Sequence, residues 1–157
     1  MARRIVRMNP LPHPPSMNDK TSAMEAGRIY FYGIRRRRNY RKAVAHLQQA
    51  AAEGYVHAQY LLALSYAQGL GVRKDPKKAI HWYRPAARKG HPGAIFNLAL
   101  AYEKGQGTHP DQHQAFSLYQ KGAKLGDPAA QCNLGVAYIE GIGTESLSRL
   151  SMDRESG

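Results

Sequence analysis

Seven histidines, one cysteine and a run of four arginines are the residues of this 157-residue chain whose chemistry could reach beyond folding. His109 and His113 stand either side of Asp111, and histidines four apart share a helix face, which is a geometry that can hold a metal. No third ligand follows close by, and Asp111 sits where a helix-capping residue recurs, so a solvated loop is expected. His46 and His81 fall inside helical patterns and read as packing or surface groups, not bases. Cys132 has no second cysteine to pair with inside the chain, and at an apolar helical position it is expected to be a small core residue. There is no pair of acids, no serine elbow and no combination of cysteine with histidine. The glycines of GLG (69–71), GQG (105–107) and GIG (141–143) each follow a helical segment and not a strand, so they read as caps, not as a nucleotide loop. The chain is therefore read as a non-enzyme without catalytic, cofactor or metal residues.

What must position these residues is a repeat. At an offset of 36, Tyr30, Tyr66, Tyr102 and Tyr138 form one column; Gly33, Gly69, Gly105 and Gly141 form another; Gly54, Gly90 and Gly126 form a third. Ala58, Ala94 and Ala130 follow, then Ala43, Ala79 and Ala115. A fixed period of this length marks stacked units that each bury their apolar face only against neighbours. In the second unit Ala58, Leu62 and Tyr66 lie on one helical face, and Gly69 follows where a left-handed C-cap needs no Cβ. Asp75-Pro76 is an N-cap followed by proline at the first helical position, and Asn39, Asp75 and Asp111 recur at that place. Asp127-Pro128, and Asp19 in the first unit, are expected to start the first helix of a pair in the same way. The fold expected is all-α: a right-handed α-α superhelical solenoid over 20–143, with units at about 22–57, 58–93, 94–129 and a partial 130–143. A basic, proline-rich leader (1–19) and an irregular tail (144–157) are expected to flank it.

The segment AQYLLALSYAQGLGVRKDPKKAIHWYRPAARKG resembles the Sel-1-like repeat, a relative of the tetratricopeptide unit, and AIFNLALAYEKGQGTHPDQHQAFSLYQKGAKLG resembles it again. The resemblance covers about 22–143. It implies a non-catalytic adaptor or scaffold that holds a protein or peptide on a concave surface formed by the first helix of each pair. On that surface Met24, Arg28, Tyr32, Gln59, Gln68 and Lys104 are the candidate contacts. Three departures from the pattern stand out. The first loop reads GIRRRRN where the second reads GLGVRKD; Pro85 predicts a kink or a restart in the helix that holds it; and the fourth unit breaks after Gly143. Self-association at that unfinished edge is one expectation.

Charge also breaks the symmetry. The net charge is +12, and residues 1–42 hold eleven of the 23 basic residues but two of the 11 acidic ones. Arg35, Arg36, Arg37, Arg38, Arg41 and Lys42 in the first unit, with Arg73 and Lys74 in the second, are expected along one loop edge. Such a ridge suits a solvated edge or an acidic partner: a protein surface, nucleic acid or anionic lipid. Nucleic-acid binding there would be strongly salt-dependent with little base readout. No apolar run approaches the ~18–20 residues that cross a bilayer. Near the N-terminus the apolar stretch is Ile5 and Val6, against the roughly 7–15 residues of a secretory signal, so a cytoplasmic location is expected.

Overall fold

The computed structural model describes residues 20–34 and 37–142. The expected leader over 1–19, the expected first-unit cap Asp19, Arg35 and Arg36, Gly143 and the expected tail over 144–157 lie outside the described residues. Seven helices follow one another without a strand among the described residues: α1 (Lys20–Tyr32), α2 (Tyr40–Ala52), α3 (Val56–Gln68), α4 (Pro76–Arg88), α5 (Pro92–Lys104), α6 (Gln112–Lys124) and α7 (Pro128–Ile139). Extensive packing runs from each helix to its neighbour in the chain, which makes an all-α helical-repeat superhelix. The first helix of each pair starts at 20, 56, 92 and 128.

Each boundary is set by local chemistry that repeats. The side chains of Asn39, Asp75 and Asp111 accept the backbone N–H three residues on, at 3.0, 3.2 and 3.0 Å. The N–H groups of the same three residues close the loop onto the carbonyls of Tyr30, Tyr66 and Tyr102. The tyrosine column is therefore fixed twice, by its ring in the core and by its carbonyl in the loop. Gly69 and Gly105 end α3 and α5 in the left-handed conformation. Pro85 does not restart α4, which runs unbroken from Pro76 to Arg88. The proline lies in the last turn, where the helix forgoes its one N–H and Lys89 still closes onto the Pro85 carbonyl at 3.3 Å.

Stacking of the pairs depends on small residues and on one polar clip. Two apolar clusters form, one around Leu47, Leu61 and Leu62 and the other around Ile80, Ile95 and Tyr102. Tyr60, Tyr66 and Trp82 pack against both and join them. α3 buries Ala58, Gln59, Leu61, Leu62, Ala63 and Ser65, which cover more than half of its circumference because α2 and α4 both pack on it. Within it, the buried Gln59 donates its amide to the Ala51 carbonyl of the helix before, at 3.3 Å, and Gln131 repeats the contact onto Ala123. The Gln59 carbonyl oxygen has no hydrogen-bond partner among the described residues.

The loops stack as well. Gly71, at φ +72°, lies so close to the start of α2 that a Cβ there would come within 2.4–2.5 Å of the backbone of Tyr40 and Arg41. Gly107, at φ +75°, meets Pro76 and Lys77 at the start of α4 in the same way. Each loop thus rests on the N-terminus of the second helix of the preceding pair, backbone against backbone. The first unit has Arg35 in this column, and no earlier pair is present among the described residues for its loop to rest on.

Two substitutions test these contacts. Gly71→Ala is expected to destabilise by about 3 kcal/mol, from left-handed strain plus backbone overlap. Gly90→Ala, at φ +86° with nothing within 4 Å of the added methyl, should cost about 1–2 kcal/mol. Urea denaturation midpoints measure the difference, and equal losses would remove the loop-stacking account. Gln59→Ile removes a hydrogen bond and a buried orphan oxygen together, and Ile95 already fills the same column in α5 fully buried. Its stability should stay within about 1 kcal/mol of the native chain or exceed it.

Candidate functional site

Rings from three successive units gather beside the C-terminal end of α1. His57 is the second residue of α3, and His91 is the N-cap of α5. Their nitrogens Nδ1 (His57) and Nε2 (His91) are 3.0 Å apart, and Tyr32 Oη lies 3.2 Å from His57 Nε2. Tyr60 stacks on His91 with centroids 4.3 Å apart, and it leans on Tyr83 behind. Gly93 makes room for this ring, because a Cβ there would meet Tyr60 at 2.9 Å.

The backbone sets the direction of the hydrogen bonds. The Ala94 N–H donates to His91 Nδ1 at 3.3 Å, so a neutral His91 carries its proton on Nε2. That proton points at His57 Nδ1, which must accept it. The His57 proton is then on Nε2 and is donated to Tyr32 Oη. One helix terminus therefore orders two imidazoles and one phenol in sequence.

Burial pushes the pKa of both histidines below the ordinary value, and for His57 the charges of His91 and Arg28 push in the same direction. Tyr60 and Tyr83 are held protonated, first by burial and then by the neighbouring tyrosine. Protonating either imidazole turns an acceptor into a donor that faces another donor.

The structure places the sequence candidates unevenly. Arg28 and Tyr32 are exposed, on successive turns of α1 beside His57, and Met24 is half-buried against the first core cluster. Gln59 does not belong to an accessible surface: it is 6% exposed and points at Ala51, because its face of α3 is covered by α2. Gln68 and Lys104 are exposed further along the array. Gln68 borders a cleft of about 450 Å³ together with Leu64, Lys74, Tyr83, Asn97 and Gln106.

Along the loop edge Arg37, Arg38, Arg41, Lys42, Arg73 and Lys74 are all exposed. Lys42 lies over the Tyr30 ring at 5.6 Å and Lys78 over Tyr66 at 5.4 Å, so the charges repeat with the tyrosine column. Cys132 is exposed and is not the small core residue expected. Its counterpart Tyr60 packs on the following first helix at Gly93, and no such helix follows α7 among the described residues. His109 and His113 are exposed, and no group of three or more metal-ligating side chains lies together among the described residues. No described helix is long and apolar enough to cross a membrane.

Sequence reasoning missed His57 and His91. They are 34 residues apart, so they fall in different columns of a 36-residue period, and nothing in their spacing connects them. The one signal available was departure from the repeat: Gly93 and Ala129 share the column of His57, and Asp127 shares that of His91.

Because their folded pKa values lie below the ordinary 6.5, these histidines bind more protons unfolded than folded. Stability should therefore hold above pH 6.5 and fall as the pH drops through 6.5 toward the folded pKa values. Thermal melts from pH 7.5 to 5 measure this. The double variant His57→Ala, His91→Ser, which keeps an N-cap side chain, should flatten the decline, and an unchanged slope would remove these groups as its source.

The Sel1 repeat pattern matches residues 21–55, 56–91, 92–127 and 128–149. The fold resembles the crystal structure of a protective antigen of uropathogenic Escherichia coli displaying an SLR fold, with TM-score 0.74 and 34% identity over 80% of this chain. It also resembles a Sel1 repeat protein from Oxalobacter formigenes, with TM-score 0.75 and 30% identity over 84% of this chain. The chain spans 27% and 54% of those two proteins. A likeness of fold extends to Helicobacter pylori cysteine rich protein B, with TM-score 0.61 and 22% identity over 73% of this chain and 88% of that one. No curated protein matches the chain. Sel1 repeat proteins are in general non-enzymatic scaffolds for protein interaction. With four repeats across 21–149, this chain belongs to the Sel1 repeat family.

Proposed function

We propose that this chain is a non-catalytic interaction module that holds a protein or peptide partner on the face of its first helices, centred on Arg28 and Tyr32. The observation that carries the reading is the convergence of α1, α3 and α5 on one ordered cluster, with an exposed arginine and an exposed tyrosine at its surface. These two residue types combine contact area with polar reach, which is why they concentrate binding energy at interfaces. The rings of His57, His91 and Tyr60 fix the Tyr32 side chain before a partner arrives, which lowers the entropy lost on binding.

A second contact of the same kind is favoured along the loop edge. Arg73, Lys74, Lys77 and Lys78 border an open groove with Tyr66 and Val72, and Asp75, the acid among them, is engaged in capping α4. An acidic protein surface fits this edge.

Affinity capture from the native host with the tagged full chain tests the proposal. Arg28→Ala with Tyr32→Ala should reduce the captured partner at least about tenfold. Ala45→Arg, on an exposed position of α2, should leave it unchanged. A partner retained by the α1 variant and lost by the α2 variant would move the site to the second helices.

A further inference from the structure

The hydrogen-bond order around Tyr32 leaves a donor pair facing solvent. Tyr32 Oη accepts from His57 Nε2, and its own O–H is used in no other contact among the described residues. Tyr32 is 43% exposed. Arg28 lies one turn earlier on the same face of α1, is exposed, and forms no ion pair among the described residues. Its column is otherwise apolar, with Leu64, Leu100 and Val136 in the later units, so the guanidinium is a local departure from the repeat. Its charge reaches the site, because it acts on His57.

The groups around the phenol come from every element packed there: His57 from α3, His91 at the start of α5, Tyr60 from α3 and Tyr83 from α4. All of them are neutral in the ordered state, and no described carboxylate bonds to any of the four. The Arg28 guanidinium is thus the charge that stays at the cluster while its imidazoles are neutral.

We infer that Arg28 and Tyr32 together bind a carboxylate of the partner, an Asp or Glu side chain or a chain terminus, with His57 holding the phenol so that its O–H points outward. The inference rests on the proposed interaction face and adds the chemical class of the group bound there. An exposed guanidinium one helical turn from an exposed hydroxyl offers two donor groups and a single positive charge, which matches the two oxygens and single charge of a carboxylate. A phosphate, at about −1.5 to −2 charge, leaves an uncompensated negative charge at this pair. His57 is a positioning residue: its proton occupies the phenol oxygen's acceptor position, and without it the hydroxyl is free to rotate.

The experiment uses the full chain labelled for NMR at pH 7.5, and three probes at equal ionic strength: an acetylated, amidated Gly-Glu-Gly peptide, its Gly-Gln-Gly counterpart and inorganic phosphate. Saturable shifts of the Tyr32 ring and Arg28 Nε–H signals are expected with the Glu peptide, and none with the Gln peptide. Tyr32→Phe and Arg28→Gln should each weaken the Glu peptide about tenfold, while Lys124→Gln, at an exposed position of α6, leaves it unchanged. His57→Ala should weaken it to a lesser degree and broaden the Tyr32 ring signals, a change that a merely structural role would not confine to that ring.

Equal shifts with Glu and Gln peptides, or tighter binding of phosphate, would overturn the carboxylate assignment, as would the absence of any saturable shift. These failures are distinct from failure of the interaction face. A native partner that is lost with the Arg28→Ala, Tyr32→Ala chain but whose capture is unaffected by Tyr32→Phe and Arg28→Gln keeps the face and rejects the carboxylate.

Discussion

The close approach of Gly71 to the backbone of Tyr40 and Arg41, repeated by Gly107 on Pro76 and Lys77, is the contact on which the rest of the array depends. A loop that rests on the N-terminus of the preceding second helix has no side chain between the two backbones to absorb a change of position. The distance between pairs is therefore fixed at the loop edge. Every other inter-pair contact, from the Gln59 clip to the shared rings of Tyr60, Tyr66 and Trp82, inherits that spacing. A period of 36 residues without insertion is the consequence: one extra loop residue would lift one pair off the next.

That spacing is also what assembles the histidine cluster. His57 and His91 meet because α5 begins beside the early part of α3, where Gly93 lets the Tyr60 ring lie flat against the helix start. The N-cap position then does a second task. In the fourth unit Asp127 accepts a backbone N–H and is complete with that. At the third unit the capping residue is an imidazole, whose second nitrogen faces the neighbouring unit, so the orphan N–H of a helix terminus is transmitted as hydrogen-bond direction to a phenol on α1.

Much of the architecture was legible because it is written column by column. Asn39, Asp75 and Asp111 cap as their type and place require, and Gly69 ends α3 in the left-handed region. What was not legible is whatever a column cannot express. Gln59 looks polar and accessible in a list of helix positions, yet its face is covered by α2. Cys132 looks like core, but its column (Met24, Tyr60, Phe96) is half-buried where another pair follows and exposed at Cys132. Each error has the same origin: a residue type was judged by its own helix when the neighbouring pair decides its surroundings.

The positions that carry the proposed site are the ones the solenoid does not need. The column of His57 is filled by Gly93 and Ala129 elsewhere, that of His91 by Tyr55 and Asp127, and that of Arg28 by Leu64 and Leu100. The tyrosine and glycine columns admit no such variety across the described units, because ring, carbonyl and left-handed turn are each tied to a contact. A repeat therefore divides its residues by mechanics. Those that set the spacing are held constant within the chain, and those that merely cover the helix ends are free to differ between units. Chemistry that distinguishes one unit from the next can accumulate only in the second group. Arg28, Tyr32, His57 and His91 all belong to it, and the fold brings them together at one place.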